Sequence, residues 1–88
     1  MSVETKHAYV EHVEGRHGGR AVIRGSRVSV WTIVEAYQSG LTPEEILSHH
    51  PQLTLSRIFD ALGYCDDNRS EIERDLAANR SPAEGLNS

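Results

Sequence analysis

The sequence predicts a mainly α fold with a short N-terminal β-ribbon, in which a three-helix unit containing a helix-turn-helix is followed by a C-terminal helix. Three observations support this prediction. Alternating and β-branched residues are concentrated before residue 30, three helix start signals lie between residues 29 and 65, and another follows residue 68. Two helices joined by a tight turn after a supporting helix form the outline of a helix-turn-helix.

The predicted strands lie in the first third of the chain. Residues 9–13 alternate between two faces, and their polar side chains indicate an exposed edge strand. Glycines interrupted by basic residues predict a turn at residues 14–19. Residues 21–23 form the most strand-like run, and residues 28–30 resume its β-branched pattern. We expect residues 1–8 to be a flexible terminus.

The first predicted helix begins after Ser29, a candidate N-cap, and ends at Gly40, where a left-handed conformation is usual. Its apolar residues follow the i, i+3, i+4, i+7 spacing of one buried face. These residues are Val30, Ile33, Val34 and Tyr37.

The second and third helices each begin at a threonine. Thr42 is followed by Pro43 at the first helical position and by Glu45, which completes a capping box. Thr54 caps the third helix. The predicted inner stripe of the third helix comprises Leu55, Ile58, Phe59 and Leu62.

A capping box of Ser70 and Glu73 predicts a fourth helix that ends near Ala78. Its apolar residues Ile72 and Leu76 lie on one side. The expected organisation is a flexible N-terminus at 1–8, one helix-turn-helix domain at 9–80 with strands at 9–30 and helices at 30–80, and a disordered tail at 81–88.

Composition and charge limit the classes of function. A single cysteine in 88 residues excludes a disulfide framework, and the small size favours oligomerisation. Residues 1–29 carry five Lys or Arg against three Glu, a balance of +2, whereas residues 30–88 carry four Arg against ten acids, a balance of −6. No apolar run reaches the roughly 18 residues of a membrane span, so we expect a cytoplasmic protein without membrane contact.

Residues 18–64 read GGRAVIRGSRVSVWTIVEAYQSGLTPEEILSHHPQLTLSRIFDALGY. The joint pattern of G-x-x-V-I-x-G-[ST]-R-[IV]-x-V, G-L-[ST]-x-E-E-I-L, P-x-L-[ST] and A-L-x-Y resembles a family of small prokaryotic proteins. This family is catalogued as domain of unknown function 433, and it includes antitoxins of type II toxin–antitoxin modules. The chain departs from it at Ala21 and Ser29, where family members often carry Pro.

The resemblance implies N-terminal strands that lead into a homeodomain-like helix-turn-helix. It also implies dimerisation through those strands and pairing with a toxin of the PIN-like ribonuclease type. Neither departure from the family pattern falls within the second and third helices.

If the second and third helices of the chain form the helix-turn-helix, the third helix is its recognition helix. The N-terminal residues of a recognition helix reach base edges in the major groove. In this chain these residues are Thr54, Ser56 and Arg57. Arg57 could bind guanine through two hydrogen bonds, whereas the alternative is that Arg57 is simply solvated surface.

Four arginines near the strands form the second candidate DNA contact: Arg16, Arg20, Arg24 and Arg27. The period of a strand places Arg20 and Arg24 on one face, and a dimer would double the basic surface. Alternatively, these arginines protect an edge strand from aggregation.

A ribbon of this size is marginal alone and would gain stability by pairing with the ribbon of a second chain in a twofold homodimer. The predicted interface residues are Tyr9, Val22, Ile23, Val28, Val30 and Trp31. Trp31 lies at the strand–helix junction, where a large ring more often fills a core or a dimer seam than stacks on a base.

No residue set indicates a catalytic site, a metal site or a cofactor. His49 and His50 are adjacent at a helix end, and Cys65 has no second cysteine with which to complete a tetrahedral site. The acids of the fourth helix are predicted to form a solvated face. They are Glu71, Glu73 and Asp75.

The leading hypothesis is a DNA-binding antitoxin and autorepressor of a type II toxin–antitoxin module, which neutralises a PIN-like ribonuclease toxin. Operator DNA, the toxin and a second copy of the chain are the expected partners. The acidic part after residue 29 would face the basic surface of the nuclease. The alternative is a protein–protein interaction module with a helix-turn-helix fold that does not bind DNA.

Overall fold

The computed structural model describes residues 2–4, 7–13 and 20–87, with the side chains of residues 7–12 and 20–79. It confirms the predicted fold class, because four helices follow a short antiparallel sheet. The elements are β1 Ser2–Glu4, β2 Val10–Val13, β3 Ala21–Ile23, α1 Val30–Gln38, α2 Pro43–His49, α3 Leu55–Asp67 and α4 Arg69–Asn87.

The sheet has the order β1-β2-β3, with Val3 opposite His12 and Val10 opposite Ile23. Strand β1 lies within the N-terminus that is predicted to be flexible, and it pairs with the edge of β2. Such an edge leaves backbone groups that a further strand can satisfy. The turn predicted at residues 14–19 lies outside the described residues.

The strand predicted at residues 28–30 is reduced to an isolated bridge between Val22 and Ser29. Ser29 has the extended conformation of an N-cap, and α1 begins at the next residue. The chain therefore leaves the sheet before a strand can continue.

Helix α1 begins and ends where the sequence predicts. Ser29 lies at the N-cap without a side-chain capping bond, and Gly40 follows the helix with a φ of 108°. A residue with a side chain rarely adopts that backbone conformation, so glycine suits the position. Of the predicted buried face, Tyr37 is wrong because its side chain is 51% exposed.

The capping box of α2 is confirmed in full. Thr42 Oγ1 accepts a hydrogen bond from the Glu45 N–H at 3.1 Å, and Glu45 Oε1 accepts one from the Thr42 N–H at 2.8 Å. Pro43 occupies the first helical position, where no intrahelical N–H is needed. These local bonds fix the start of α2. The helix ends at His49, and a short connection leads from there to α3.

The inner stripe of α3 differs from the predicted one. The helix begins at the Thr54 cap and buries Ile58, Ala61, Tyr64 and Cys65. Phe59 is 55% exposed, and Leu55 and Leu62 are only partly buried. Helix α3 packs against α1, α4 and β2, so its buried face is centred on Ile58 and Ala61 rather than on Phe59.

Helix α4 begins at Arg69, before the predicted Ser70 cap, because the Ile72 N–H already bonds to the Asn68 carbonyl at 3.2 Å. Its backbone continues to Asn87, beyond the predicted end near Ala78 and into the predicted tail. Ile72 and Leu76 are buried as predicted.

One cluster of apolar side chains joins the sheet to all four helices. Each element from β2 to α4 contributes a residue with no accessible surface. These residues are Val10, Ile23, Ile33, Ile46, Ile58 and Ile72. Among the described residues, no helix combines the length and apolar character needed to cross a membrane.

Ile58 and Phe59 are adjacent in α3 but differ in burial, which gives a matched test of the buried face. We expect Ile58→Ala to lower the free energy of unfolding by about 2–5 kcal/mol, because it leaves a cavity. Phe59→Ala should cost less than about 1 kcal/mol, since more than half of its side chain is exposed. Urea denaturation of both variants measures the difference, and an equal loss would contradict this assignment.

Candidate functional site

The first turn of α3 brings the three predicted base-contacting residues together. Thr54 is exposed, and its Oγ1 accepts a hydrogen bond from the Arg57 N–H at 3.3 Å. Ser56 is exposed, and Arg57 is partly exposed, with Nη1 3.4 Å from Thr54 Oγ1. The cap therefore fixes the backbone of this turn, while Ser56 and Arg57 present polar groups to solvent.

Arg57 also contacts Tyr9, which precedes β2. Its guanidinium carbon lies 4.9 Å from the centre of the Tyr9 ring, within the range of a cation–π interaction. The sequence predicts Tyr9 at a dimer interface, and in the structure its ring lies against Arg57 in the first turn of α3. Sequence spacing cannot reveal this contact, because it depends on how the N-terminal segment crosses α3.

The four basic residues near the strands do not share one environment. Arg24 donates from Nε to the Ala8 carbonyl at 3.1 Å and from Nη1 to Glu11 Oε1 at 2.9 Å. Arg20 is partly buried, and its charge favours the ionised form of Asp75. Arg16 lies outside the described residues. Of the arginines described in this group, only Arg27 is exposed.

Four of the six predicted dimer-interface residues lie in the core of one chain. Val22, Ile23, Val28 and Val30 are each no more than 8% exposed. Trp31 is partly buried against the same core. Burial leaves these four side chains little surface for a partner, and Ile23, Val28 and Val30 belong to the apolar cluster shared with the helices. The dimer interface itself stays a prediction.

The structure reveals a site that the sequence prediction missed, centred on His7. Its Nδ1 lies 2.9 Å from Asp60 Oδ1, and its Nε2 lies 2.8 Å from Asp67 Oδ2. Both acids belong to α3. A carboxylate only accepts hydrogen bonds, so two such contacts require a proton on each ring nitrogen. His7 is therefore placed as an imidazolium.

The environment of His7 favours this charged form. Its side chain is only 16% exposed. Burial lowers the pKa of His7, but the hydrogen bonds and charges of Asp60 and Asp67 outweigh burial and hold the pKa above its ordinary value of 6.5. The two carboxylates thus stabilise the cation that the geometry requires.

Asp60 connects this histidine to the residue that contacts Arg57. Its second oxygen, Oδ2, accepts a hydrogen bond from the Tyr9 backbone N–H at 2.8 Å. Gly63 permits the close approach of His7, because a Cβ at residue 63 would lie 3.3 Å from His7 Cε1. We call the residues His7, Tyr9, Asp60 and Asp67 the histidine clasp.

A second histidine contact lies next to the clasp. The Tyr64 hydroxyl donates to Glu71 Oε1 at 2.7 Å, and His12 Nε2 lies 2.6 Å from Glu71 Oε2 and 3.1 Å from the Tyr64 hydroxyl oxygen. The Tyr64 ring meets both histidines edge-on, with centroids 5.5 Å from His7 and 5.9 Å from His12. Burial and the Glu71 carboxylate raise the pKa of Tyr64, so its hydroxyl remains a donor.

The solvated face predicted for the acids of α4 is wrong for Glu71 and Asp75, which are partly buried, whereas Glu73 is exposed. Burial and the nearby Glu71 charge raise the pKa of Asp75. One signal could have found this site. Asp60, Tyr64, Asp67 and Glu71 succeed one another at spacings of four, three and four residues, which is the period of one polar helical stripe.

A separate groove of about 750 Å³ lies between α1 and α2 and includes His49, His50 and Glu35 in its lining. Cys65 is not in this groove, since it is buried in α3, and burial raises the pKa of its thiol. Within the described ranges, no group of three or more His, Cys, Asp or Glu residues is arranged to hold a metal ion.

The hydroxyl of Tyr64 has a testable role. We expect Tyr64→Phe to lower the free energy of unfolding by about 1–3 kcal/mol, because it removes the donor to Oε1 of the partly buried Glu71, whose Oε2 keeps its contact with His12. Tyr37→Phe is the matched control, since Tyr37 is 51% exposed, and it should leave stability almost unchanged. Thermal unfolding measures both variants, and a neutral Tyr64→Phe would show that the network adds no stability.

The charge of His7 predicts a pH-dependent effect on stability. Because its pKa is higher in the folded protein than in the unfolded chain, its stabilising contribution is complete below the unfolded value and is lost as the pH rises through the folded value. We expect His7→Gln to cost about 1 kcal/mol or more near pH 5.5 and less near pH 8.5. Urea denaturation at both values tests this, and a cost that grows with pH would contradict the imidazolium.

Comparisons with known proteins agree with this fold. A family model described as a protein of unknown function, DUF433, matches residues 10–65. A crystal structure of a DUF433 member from Anabaena variabilis is similar to the chain, with 35% sequence identity and a TM-score of 0.74, covering 78% of this chain and 68% of the other. Among curated proteins, none matches significantly. The family match spans the strands β2 and β3, the helices α1 and α2 and most of α3, and on these grounds the chain belongs to the DUF433 family.

Proposed function

We propose that this protein is a dimeric DNA-binding antitoxin that represses its own operon in the cytoplasm and neutralises a PIN-like ribonuclease toxin. The observation that carries the DNA-binding half is the exposed first turn of α3, where Ser56 and Arg57 follow the Thr54 cap. Helix α2 precedes it across a short connection, as the supporting helix of a helix-turn-helix does.

Arg57 is the side chain best suited to read a base. Tyr9 contacts the guanidinium, and stacking on one face leaves N–H donors at the edge of the plane for another acceptor. Guanine offers two acceptors in the major groove that match this geometry. Ser56 and Arg27 are exposed and supply further donors for bases or phosphates.

The charge of one chain supports a dimeric assembly for DNA binding. The net charge is −4, and Arg24 is already paired with Glu11. A second copy would double the exposed cation Arg27 and the partly exposed cation Arg57 along the duplex. Since the inner face of the sheet is covered by helices, pairing through the N-terminal strands would use the backbone of β1, an edge strand of the sheet.

The toxin half of the proposal is supported by the acidic part of the chain. Residues 30–88 carry four Arg against ten acids, and Glu44, Glu45, Asp66 and Glu73 are exposed. A ribonuclease presents basic groups to its RNA substrate, so an acidic partner can associate quickly and block that surface. Affinity purification of the full chain from native lysate tests this half, which fails if no ribonuclease is recovered.

A second function is favoured by a different surface. Phe59 is 55% exposed and lies beside the partly buried Leu55 and Leu62, which forms an apolar stripe along α3. Arg24 and Arg57 have contacts within the chain that reduce their availability to phosphates. These observations favour a protein–protein interaction module that uses α3 without binding DNA.

Mobility-shift titrations with the DNA upstream of the coding region separate the two functions. We expect binding that falls steeply with added salt and weakens by about fivefold or more in Arg57→Ala, the lower range for one bidentate arginine contact. Arg69→Ala is the matched control, because Arg69 is exposed on α4 and pairs only locally with Asp66. The interaction module is supported instead if no shift appears even near 50 mM salt.

A further inference from the structure

The N-terminal segment crosses α3 beside its DNA-reading end. Asp60 lies one helical turn after Arg57 and accepts hydrogen bonds from both the His7 ring and the Tyr9 backbone. Tyr9 in turn lies against the Arg57 guanidinium. A continuous set of contacts therefore runs from Asp67 through His7 and Asp60 to the Tyr9 ring and Arg57.

Only a protonated His7 can donate a hydrogen bond to Asp60 and to Asp67 at the same time. The two nitrogens face Asp60 and Asp67 at 2.9 and 2.8 Å, and neutral histidine carries a single N–H. Loss of one proton would leave a ring nitrogen lone pair opposite a carboxylate oxygen. That arrangement is repulsive, so one of the two contacts must open.

We propose that His7 is a positioning residue whose imidazolium holds the N-terminal segment on α3 and, through Tyr9, sets the orientation of Arg57. The consequence for DNA rests on the proposed function, whereas the coupling between His7 and Arg57 does not. As the pH rises and the clasp opens, Arg57 loses its platform, and its contact with DNA becomes weaker.

The other groups near the clasp define the controls. The Tyr64 ring of α3 faces His7, and beyond it lie His12 of β2, Glu71 and Asp75 of α4 and the Arg20 charge. Arg24 forms an ion pair with Glu11, and it also donates a hydrogen bond to the carbonyl of Ala8, the residue before Tyr9. The test must therefore distinguish an effect of His7 protonation on Arg57 from an effect of His12 protonation.

Nuclear magnetic resonance of the full-length protein tests the coupling directly. Between about pH 5.5 and 8.5, the Tyr9 ring and Arg57 side-chain signals should shift with the same midpoint as the His7 imidazole. The response should vanish in His7→Gln and persist in His12→Gln. Signals of Tyr9 and Arg57 that ignore the His7 midpoint, or that follow His12, would overturn the proposal.

A matched pair of adjacent acids separates positioning from general stability. Asp67→Asn keeps an acceptor oxygen but removes one negative charge from His7, so it should move the common midpoint to lower pH. Asp66→Asn removes the same charge from the neighbouring exposed residue and should leave the midpoint in place. Asp67 is 46% exposed, so this variant tests the clasp without altering the core.

DNA binding gives the functional readout. Affinity for the upstream DNA should fall by about fivefold or more between about pH 6 and pH 8.5 in the wild type, and this extra fall should be absent in His7→Gln. No DNA binding at any pH, with the coupled signals intact, overturns the proposed function and leaves the positioning role standing. DNA binding without coupled signals overturns the positioning role alone.

Discussion

The Asp60 carboxylate is the contact on which the arrangement of the candidate site depends. One oxygen meets the His7 ring and the other accepts the Tyr9 backbone N–H, so a single side chain of α3 holds the segment that leads into β2. On the opposite side of α3, Ile58 and Ala61 are fully buried in the core. The helix is thus attached to apolar side chains on one side and to charged groups on the other.

Two arginines that could bind DNA phosphates make contacts within the chain instead. Arg24 is paired with Glu11, and Arg57 rests on Tyr9. The two contacts have different consequences. Pairing with a carboxylate neutralises a cation, whereas stacking on an aromatic face orients the guanidinium and keeps its charge. Arg57 therefore remains suited to recognition in a way that Arg24 does not.

Two histidines link the N-terminal sheet to the last two helices through carboxylates. His7 contacts Asp60 and Asp67 of α3, while His12 contacts Glu71 of α4. Tyr64 lies between the two rings and donates to the same Glu71. These histidine–carboxylate contacts therefore attach the segment around β2 to the last two helices.

The sequence by itself determined the features that depend on near neighbours. The Thr42–Glu45 capping box, the Thr54 cap and the positive φ at Gly40 all follow from residues a few positions apart. The fold class follows as well, since apolar spacing distinguishes the helices from the strands. The family motifs lie in residues 18–64, the part of the chain that also carries these local signals, so the resemblance indicates the same helices.

Only the tertiary structure decided which side of each element is covered and which charged groups meet. Tyr37 and Phe59 satisfy a helical apolar period yet are exposed, because the packing of α1 and α3 is centred on other residues. Ile23, which a strand pattern alone leaves open to a partner chain, belongs to the apolar cluster shared with the helices. His7 and Asp60 are distant in the sequence, so their contact is set by the path of the N-terminal segment across α3.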